Sequence, residues 1–414
     1  MRLYMQELKR ILKSSRAKVI ILLAVLLPIL LALLATEFND ANYVDTNGDI
    51  VPLHGTAAMR FLKETSAAGN GEATIERLKD ALRTYQSLYE EYGTDPLESG
   101  FPLDVFWRDV QPIRALLRMI TQTYSPPDGV IDLQTISVDD LDSFYEDVES
   151  KLTAVMESDL ELRRPAMIRM AQQIFHKVRT PFTISHGYTR DAFDYIEFTI
   201  LFLVILSATL AAPAFSERYS SGEDSILRCT LFGRGKLVRT TVFAELTVVT
   251  AMYFIGIGLH LLISDMIFGA ETLKESVQTL YTVYSLPNMS LLDLQIILAL
   301  TGWLCCLTVT TMALCISARV TETSTAMVLS LIIVILPTLL YSIGGGASWL
   351  LALLPSASVG LSNNMLMSLV DLRFLMLGNS VFWYPIVLAC TSAVEFFLFG
   401  IITHIMYAKH QVTK

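Results

Sequence analysis

The sequence has few charged residues for its length and contains none of the short motifs that mark common catalytic sites. Asp, Glu, Lys and Arg account for 17% of the 414 residues, against 53% hydrophobic residues. This balance is too apolar for an ordinary soluble domain. The patterns G-x-x-x-x-G-K-[ST], H-E-x-x-H, C-x-x-C and G-x-S-x-G do not occur. We therefore expect a chain that is not itself an enzyme and carries no cofactor or metal ion.

Cysteine is scarce as well, and its distribution is uneven. The five cysteines are Cys229, Cys305, Cys306, Cys315 and Cys390, so the long polar segment 37–194 has none. A disulfide framework is excluded for that segment. The same segment holds 27 acidic and 15 basic residues, and the overall net charge of −9 originates there. An acidic balance of this kind gives no indication of a nucleic-acid partner.

Long apolar runs dominate the remainder of the sequence. Six windows of about 18 or more nearly uncharged residues are long enough to cross roughly 30 Å of hydrocarbon as helices. They lie at 19–36, 195–215, 240–267, 294–317, 325–343 and 381–407. Helices are expected because a backbone in lipid must satisfy its polar groups within the segment. The predicted fold class is an α-helical polytopic membrane protein with six transmembrane helices.

The basic residues indicate how these helices are oriented. With the N-terminus in the cytoplasm, six spans return the C-terminus to the same side. The cytoplasmic pieces are then 1–18, 216–239, 318–324 and 408–414, which hold 14 Lys and Arg against 5 Asp and Glu. This excess follows the positive-inside rule. We expect a multi-pass protein of a bacterial cell membrane, surrounded by lipid, with both termini in the cytoplasm.

Segment 1–18 combines basic residues with apolar residues at helical spacing. Tyr4, Leu8, Ile11, Leu12 and Ser15 recur at helical spacing, and the basic residues Arg2, Lys9, Arg10, Lys13 and Arg16 lie at other positions. The pattern indicates either an interfacial helix on the cytoplasmic leaflet or a basic flank that only fixes the topology.

Segment 37–194 is long enough to fold as an extracytoplasmic domain. Asn47 and Gly48 between short alternating runs predict a β-hairpin, which we favour over a calcium loop because Gly stands at the fourth position. Helical periodicity that includes Ile75 is closed by Gly93, and a later helical stretch is capped by Ser137 and interrupted at Pro165. The domain is predicted to be mainly helical with a small β element.

Four carboxylates lie within the predicted spans, where ionisable groups are costly and often functional. Glu197, Glu245 and Asp265 lie near span ends, where a structural role is favoured. Glu395 lies near the middle of the last span and must face the bundle interior, a partner subunit or a water-filled path. For Glu395 a place on the substrate path and a structural hydrogen bond are both open.

The polar segment 216–239 separates two apolar runs and has the signals of a short helix. Ser221 can cap a helix that ends at Gly233, with a shared apolar face formed by Ile226, Leu227 and Leu231. Such a helix lying across the ends of two spans would present an apolar knob ringed by charge to a partner's groove. A solvated loop that obeys the positive-inside rule is the alternative.

This layout resembles the permease subunits of bacterial ABC-2 type transporters. The resemblance is carried by the stretch "APAFSERYSSGEDSILRCTLFGRGKLVRTTVFAEL" and by the large outer segment between the first two spans. The matching positions are Glu217, Gly222, Leu227, Leu231, Gly233, Arg234 and Lys236. The pattern does not extend into the outer domain.

The resemblance implies the permease subunit of an ATP-driven exporter. It implies docking of separate ATP-binding cassette subunits, which carry ATP and Mg, and pairing with a second permease, either a copy or a homologue. The coupling residues that it implies are Glu217, Gly222, Glu223, Ile226, Leu227, Arg228, Leu231 and Arg234, with Arg319 and Glu322 as a second, smaller contact. It also implies an outer re-entrant hairpin at 344–380.

Two other functions are compatible with the sequence. One is an ATP-linked mechanotransmission permease, in which the outer domain acts on partners and nothing crosses the bilayer, although that family usually has four spans. The other is a membrane receptor that transports nothing. The substrate class, whether peptide, drug or lipid, is open.

Overall fold

The computed structural model describes residues 2–45, 47–126, 129–230, 233–343, 353–354 and 364–409. Helices account for 73% of the structure, and the sheets are small. The predicted fold class, a helical polytopic membrane protein with a small β element in its outer domain, is confirmed.

The helices are numbered in chain order. Those of the first two spans and the outer domain are α1 (Arg2–Lys13), α2 (Ser15–Leu34), α3 (Gly55–Ser66), α4 (Ile75–Tyr92), α5 (Leu103–Val105), α6 (Arg114–Tyr124), α7 (Phe144–Ser158), α8 (Pro165–Phe175) and α9 (Arg190–Ala211). The remaining helices are α10 (Pro213–Ser220), α11 (Glu223–Arg228), α12 (Gly235–Ser264), α13 (Val277–Leu280), α14 (Leu291–Ser317), α15 (Thr323–Ile343), α16 (Met365–Val370) and α17 (Tyr384–Lys409).

In the part of the chain that the structure describes, the strands form three antiparallel pairs. They are β1 (Asp40–Val44) with β2 (Ile50–His54), β3 (Gly71–Glu72) with β4 (Thr183–Ile184), and β5 (Phe374–Leu377) with β6 (Ser380–Trp383). The second pair joins residues that are far apart in sequence. Since β4 lies just before α9, this pairing holds the end of the outer domain against an earlier part of it.

Among the described residues, five helices are long and apolar enough to cross a membrane by length and composition. They are Ser15–Leu34, Arg190–Ser220, Gly235–Lys274, Leu291–Ser317 and Tyr384–Lys409. The span predicted at 325–343 coincides with α15, in which Thr323–Leu336 forms a shorter apolar stretch.

The helix ends differ from two of the predicted span boundaries. The last span was predicted from residue 381; residues 381–383 belong to β6, whose backbone pairs with β5, and α17 begins at Tyr384. The second span was predicted at 195–215; α9 ends at Ala211 and α10 begins at Pro213, and together they form the long apolar stretch Arg190–Ser220. Proline lacks the N–H that a continuing helix would need, and it is well tolerated in the first turn of a new helix.

The apolar helices pack closely where their side chains are small. Ser207, Ala208 and Ala211 on α9 are fully buried in the bundle. At Gly256 of α12, an added Cβ would lie 2.6 Å from the carbonyl oxygen of Ala24 on α2. Small residues therefore set the distance between these backbones, as expected for helices packed in lipid.

The predicted hairpin and the first predicted helix of the outer domain are confirmed. The Asp45 carboxylate accepts hydrogen bonds from the backbone N–H groups of Asn47 and Asp49, which hold its pKa below the ordinary value. Gly48 adopts φ +88°, as this turn requires. Helix α4 ends at Gly93, which is left-handed.

The later helical stretch is also confirmed. Ser137 and Asp140 form a capping box at its start, and α8 begins at Pro165. About half of the predicted outer hairpin at 344–380, namely 344–352 and 355–363, falls outside the described residues. Its described part consists mainly of α16 and the β5–β6 hairpin.

Residues 270–290, which we call the outer connector, join the third and fourth long apolar helices and pack into the outer domain. The Arg190 guanidinium donates to the carbonyl oxygens of Leu280 and Tyr281 at 2.8 and 2.5 Å. The backbone N–H of Val283 donates to the Gln122 side chain at 3.1 Å, and the Val283 side chain is part of the outer-domain core. The outer domain is therefore fastened to the helix bundle by hydrogen bonds and by shared apolar packing.

Gly69 provides a test of the packing in the outer domain. An added Cβ at Gly69 would lie 1.9 Å from the carbonyl oxygen of Pro112, whereas one at Gly129 would meet only Pro126 Cγ at 3.6 Å. We expect Gly69→Ala to lower stability by about 1–3 kcal/mol, because the backbone must shift to relieve the overlap. Thermal unfolding of the purified protein measures the effect, with Gly129→Ala as the matched control. Equal unfolding temperatures for the two variants would contradict the packing described.

Candidate functional site

Helix α11 lies at the inner end of the bundle, which is the end opposite the outer domain, where α1, α10, α11, the loop 318–322 and the last turn of α17 meet. It spans six residues, from Glu223 to Arg228. The predicted helix from Ser221 to Phe232 is therefore too long. Ser221 is the C-cap of α10 and not the N-cap of α11, and Gly222 adopts φ +76°, which separates the two helices. Leu231 and Phe232 lie outside the described residues.

A buried network of charge holds α11 against the last helix. The Asp224 carboxylate accepts from Arg228 Nε at 2.5 Å and from the Tyr407 hydroxyl at 2.6 Å. Arg228 also donates through Nη2 to the Tyr407 carbonyl oxygen at 2.8 Å and lies 4.4 Å from the centre of its ring. All three side chains are buried. Because each partner satisfies another, this network fixes the orientation of a helix that is too short to be stable alone.

The predicted shared apolar face of α11 is wrong. Leu227 packs inward against the cluster that includes Phe215, Leu237 and Tyr407, whereas Ile226 points outward with 72% of its surface exposed. The reason is that the Asp224–Arg228 pair occupies the inward face together with Leu227. Of the two described members of the predicted face, Ile226 is exposed and Leu227 is partly buried.

The other predicted coupling residues line the inner end at its surface. Glu223, Arg234, Arg319 and Glu322 are exposed. Glu217 on α10 forms an ion pair with Arg16 at 2.8 Å. The loop 318–322 lies beside α10, because the Tyr219 hydroxyl donates to the Ala318 carbonyl oxygen at 3.1 Å. An exposed apolar residue and exposed charges of both signs therefore lie at the same end of the bundle.

A second buried ion pair at the inner end was not predicted. One oxygen of Glu7 accepts hydrogen bonds from Arg218 on α10, from Arg10 at 3.1 Å and from Thr241 on α12 at 3.3 Å. Glu7 and Arg218 are 6% and 2% exposed. The sequence did contain a signal, since Glu7 lies three residues after Tyr4 and four before Ile11, on the same face of α1 as the apolar residues.

Two of the predicted intramembrane carboxylates have hydrogen bonds that fit a structural role. Glu197 accepts from the backbone N–H of Leu366 at 3.0 Å, and Asp265 accepts from the side chains of Tyr188 and Gln295. The second oxygen of Glu197 and one oxygen of Glu245 are buried and have no hydrogen-bond partner among the described residues.

Glu395 also has one such oxygen, with no partner in the described part of the chain. It lies on α17 next to Val394 and near Phe397, whose side chains are exposed on the outside of the bundle. This placement leaves open the choice between a substrate path and a structural hydrogen bond. Within the described residues, no group of three or more His, Cys, Asp or Glu side chains could hold a metal ion.

The inner end combines a short helix fixed across the ends of apolar helices, an exposed rim of charge and an adjacent loop. A family model described as "ABC-2 family transporter protein" matches residues 1–367, a range that includes α11 and the loop 318–322. None of the curated proteins matches the chain. With this match over most of its length and its set of apolar helices, the chain belongs to the ABC-2 transporter family as a multi-pass membrane permease.

Proposed function

We propose that the chain is the permease subunit of an ATP-driven exporter and that its inner end faces the cytoplasm. In this proposal, α11 and the loop 318–322 receive separate ATP-binding cassette subunits, which bind ATP and Mg and perform the hydrolysis. The observation that carries the proposal is Ile226, an exposed apolar side chain on a helix whose other face is held by buried charges.

The surface around Ile226 has the properties of a docking site. Apolar anchors surrounded by polar rims carry much of the binding energy in protein interfaces. Glu223 lies on the same helix, and Arg234, Arg319 and Glu322 are the exposed charges of the neighbouring segments. A partner with an apolar groove flanked by charges of both signs fits this surface.

The contacts beneath α11 can transmit a displacement to the bundle. The Asp224–Arg228–Tyr407 network leads from α11 to α17. Next to it, the backbone N–H groups of Phe215 and Ser216 donate to the Ser317 hydroxyl at 3.0 and 3.1 Å, which connects α10 to the end of α14. Because these groups are buried and hydrogen-bonded, a force on α11 reaches several long helices rather than bending a loose loop.

The remaining parts of the proposal follow from the family. We propose pairing with a second permease, either a copy of this chain or a homologue, and export of a peptide, a drug or a lipid. Glu395 is a candidate for the substrate path because its unpartnered oxygen lies within a long apolar helix.

The docking surface can be tested by Ile226→Asp. We expect this variant to lose at least about tenfold in association with the ATPase subunits, because a carboxylate would be buried without a partner in an apolar groove. Leu160→Asp is the matched control, since Leu160 is 73% exposed but lies in the outer domain. Co-purification of the ATPase from the native host and ATP hydrolysis by the complex are the two measurements. Undiminished co-purification of Ile226→Asp would remove the docking assignment.

Export can be distinguished by experiment from mechanotransmission, in which nothing crosses the bilayer. The attachment of the outer connector to the outer domain favours this alternative. Cells that carry the intact complex are compared with cells whose ATPase subunit binds ATP but cannot hydrolyse it, and the compounds in the medium are measured. For an exporter, we expect at least one compound to appear outside only with the intact ATPase. The alternative predicts identical media, together with ATP-dependent changes in the reactivity of cysteines introduced into the outer domain.

A further inference from the structure

A cavity of about 340 Å³ lies at the inner end between α1, α2, α9, α10 and α12. Its volume is at the lower end of the range of about 300–1,000 Å³ for ligand sites. The charged side chains in its wall are three arginines and three glutamates, namely Arg10, Arg16, Arg218, Glu217, Glu223 and Glu245. The coupling function proposed above uses only Glu217 and Glu223 from this wall.

Three atoms of these side chains are buried and have no hydrogen-bond partner among the described residues. They are Nη2 of Arg10, Nη1 of Arg218 and Oε2 of Glu245. Arg218 and Glu245 are each 2% exposed. Buried charged groups are almost always paired, so unsatisfied donors and an unsatisfied acceptor around one cavity indicate a missing ligand.

The charges in the wall are not cancelled locally. Arg16 is paired with Glu217, and the single carboxylate of Glu7 is shared by Arg10 and Arg218, so one guanidinium charge and the wall carboxylates of Glu223 and Glu245 remain outside these ion pairs. Among the described residues, no ion pair within 4.0 Å joins Glu245 to either guanidinium. The cavity thus offers a cationic wall and a separate anionic one, which suits a ligand that carries both signs of charge.

We infer that this cavity binds the headgroup of a phospholipid that carries both a phosphate and a primary ammonium, as phosphatidylethanolamine does. The phosphate accepts from the free N–H groups of Arg10 and Arg218, and the ammonium donates to Glu245.

A membrane lipid is favoured over a soluble molecule by the helix that forms one wall. Ala17 and Ile20 of α2 line the cavity, and α2 continues as an apolar helix. Its exposed side chains include Val19, Leu22, Leu23, Leu26 and Leu30. Acyl chains attached to a headgroup in the cavity can lie along this surface.

The experiment measures lipid retention by the purified, delipidated protein together with the subunits that it carries. Native mass spectrometry is used during titration with phosphatidylethanolamine, phosphatidylglycerol or phosphatidylcholine. We expect phosphatidylethanolamine to bind about tenfold more tightly than phosphatidylglycerol, which lacks the ammonium that Glu245 would accept from. Phosphatidylcholine should also bind more weakly, because its quaternary ammonium has no N–H to donate.

Substitutions test which wall of the cavity binds the ammonium and which binds the phosphate. Glu245→Gln should abolish the difference between phosphatidylethanolamine and phosphatidylglycerol, whereas Arg10→Gln should weaken the binding of both lipids by about tenfold. Arg239→Gln is the control, because Arg239 is exposed on the same helix as Glu245 and does not line the cavity. Unfolding temperatures without lipid show whether each variant is folded. If a variant unfolds, the inference is tested by the relative binding of the three lipids to the parent chain.

Three results would overturn the inference. The first is equal retention of phosphatidylethanolamine and phosphatidylglycerol by the parent chain, and the second is an unchanged ratio in folded Glu245→Gln. The third is displacement of the lipid by soluble glycerophosphoethanolamine at equal concentration, which would make the occupant a soluble molecule. Lipid retention is read without ATPase activity, so this inference stands or fails independently of the proposed export function.

Discussion

The carboxylate of Glu7 joins three helices that are far apart in sequence, and the arrangement of the inner end depends on it. Through one oxygen it accepts from α1, α10 and α12, and Arg218 would otherwise be a buried cation. Removing one member of a buried ion pair typically costs about 3–5 kcal/mol, because the other charge is left uncompensated. The first helix is therefore part of the bundle, and its position fixes one wall of the cavity beside it.

The same device, a buried charge pair, determines what α11 presents to its surroundings. A six-residue helix has too few hydrogen bonds to persist alone, so its orientation comes from tertiary contacts. Asp224 and Arg228 face inward and Ile226 faces outward, which reverses the usual arrangement of a surface helix. Polar groups inside and an apolar residue outside are costly for an isolated subunit but suited to a surface that is covered by a partner.

Features set by local sequence could be predicted, and features set by distant contacts could not. The apolar runs, the turn at Gly48 and the end of α4 at Gly93 depend on length, spacing and left-handed glycines, and all are visible in the sequence. Which side of α11 points into the bundle depends on Tyr407, which lies 179 residues after Arg228 in the chain. For Glu7, the position on the apolar face of α1 indicates burial, but its partner Arg218 lies 211 residues later in the chain, so the ion pair itself is not visible in any local pattern.

The outer connector couples movements of the helix bundle to the outer domain. Since residues 270–290 are shared between the helix bundle and the core of the outer domain, a tilt of α12 against α14 must be delivered to that domain as a swing of the whole body. Because displacement under a rotation grows with distance from the pivot, the far side of the domain would move farther than the connector itself. Anything held against that distant surface would be moved with it.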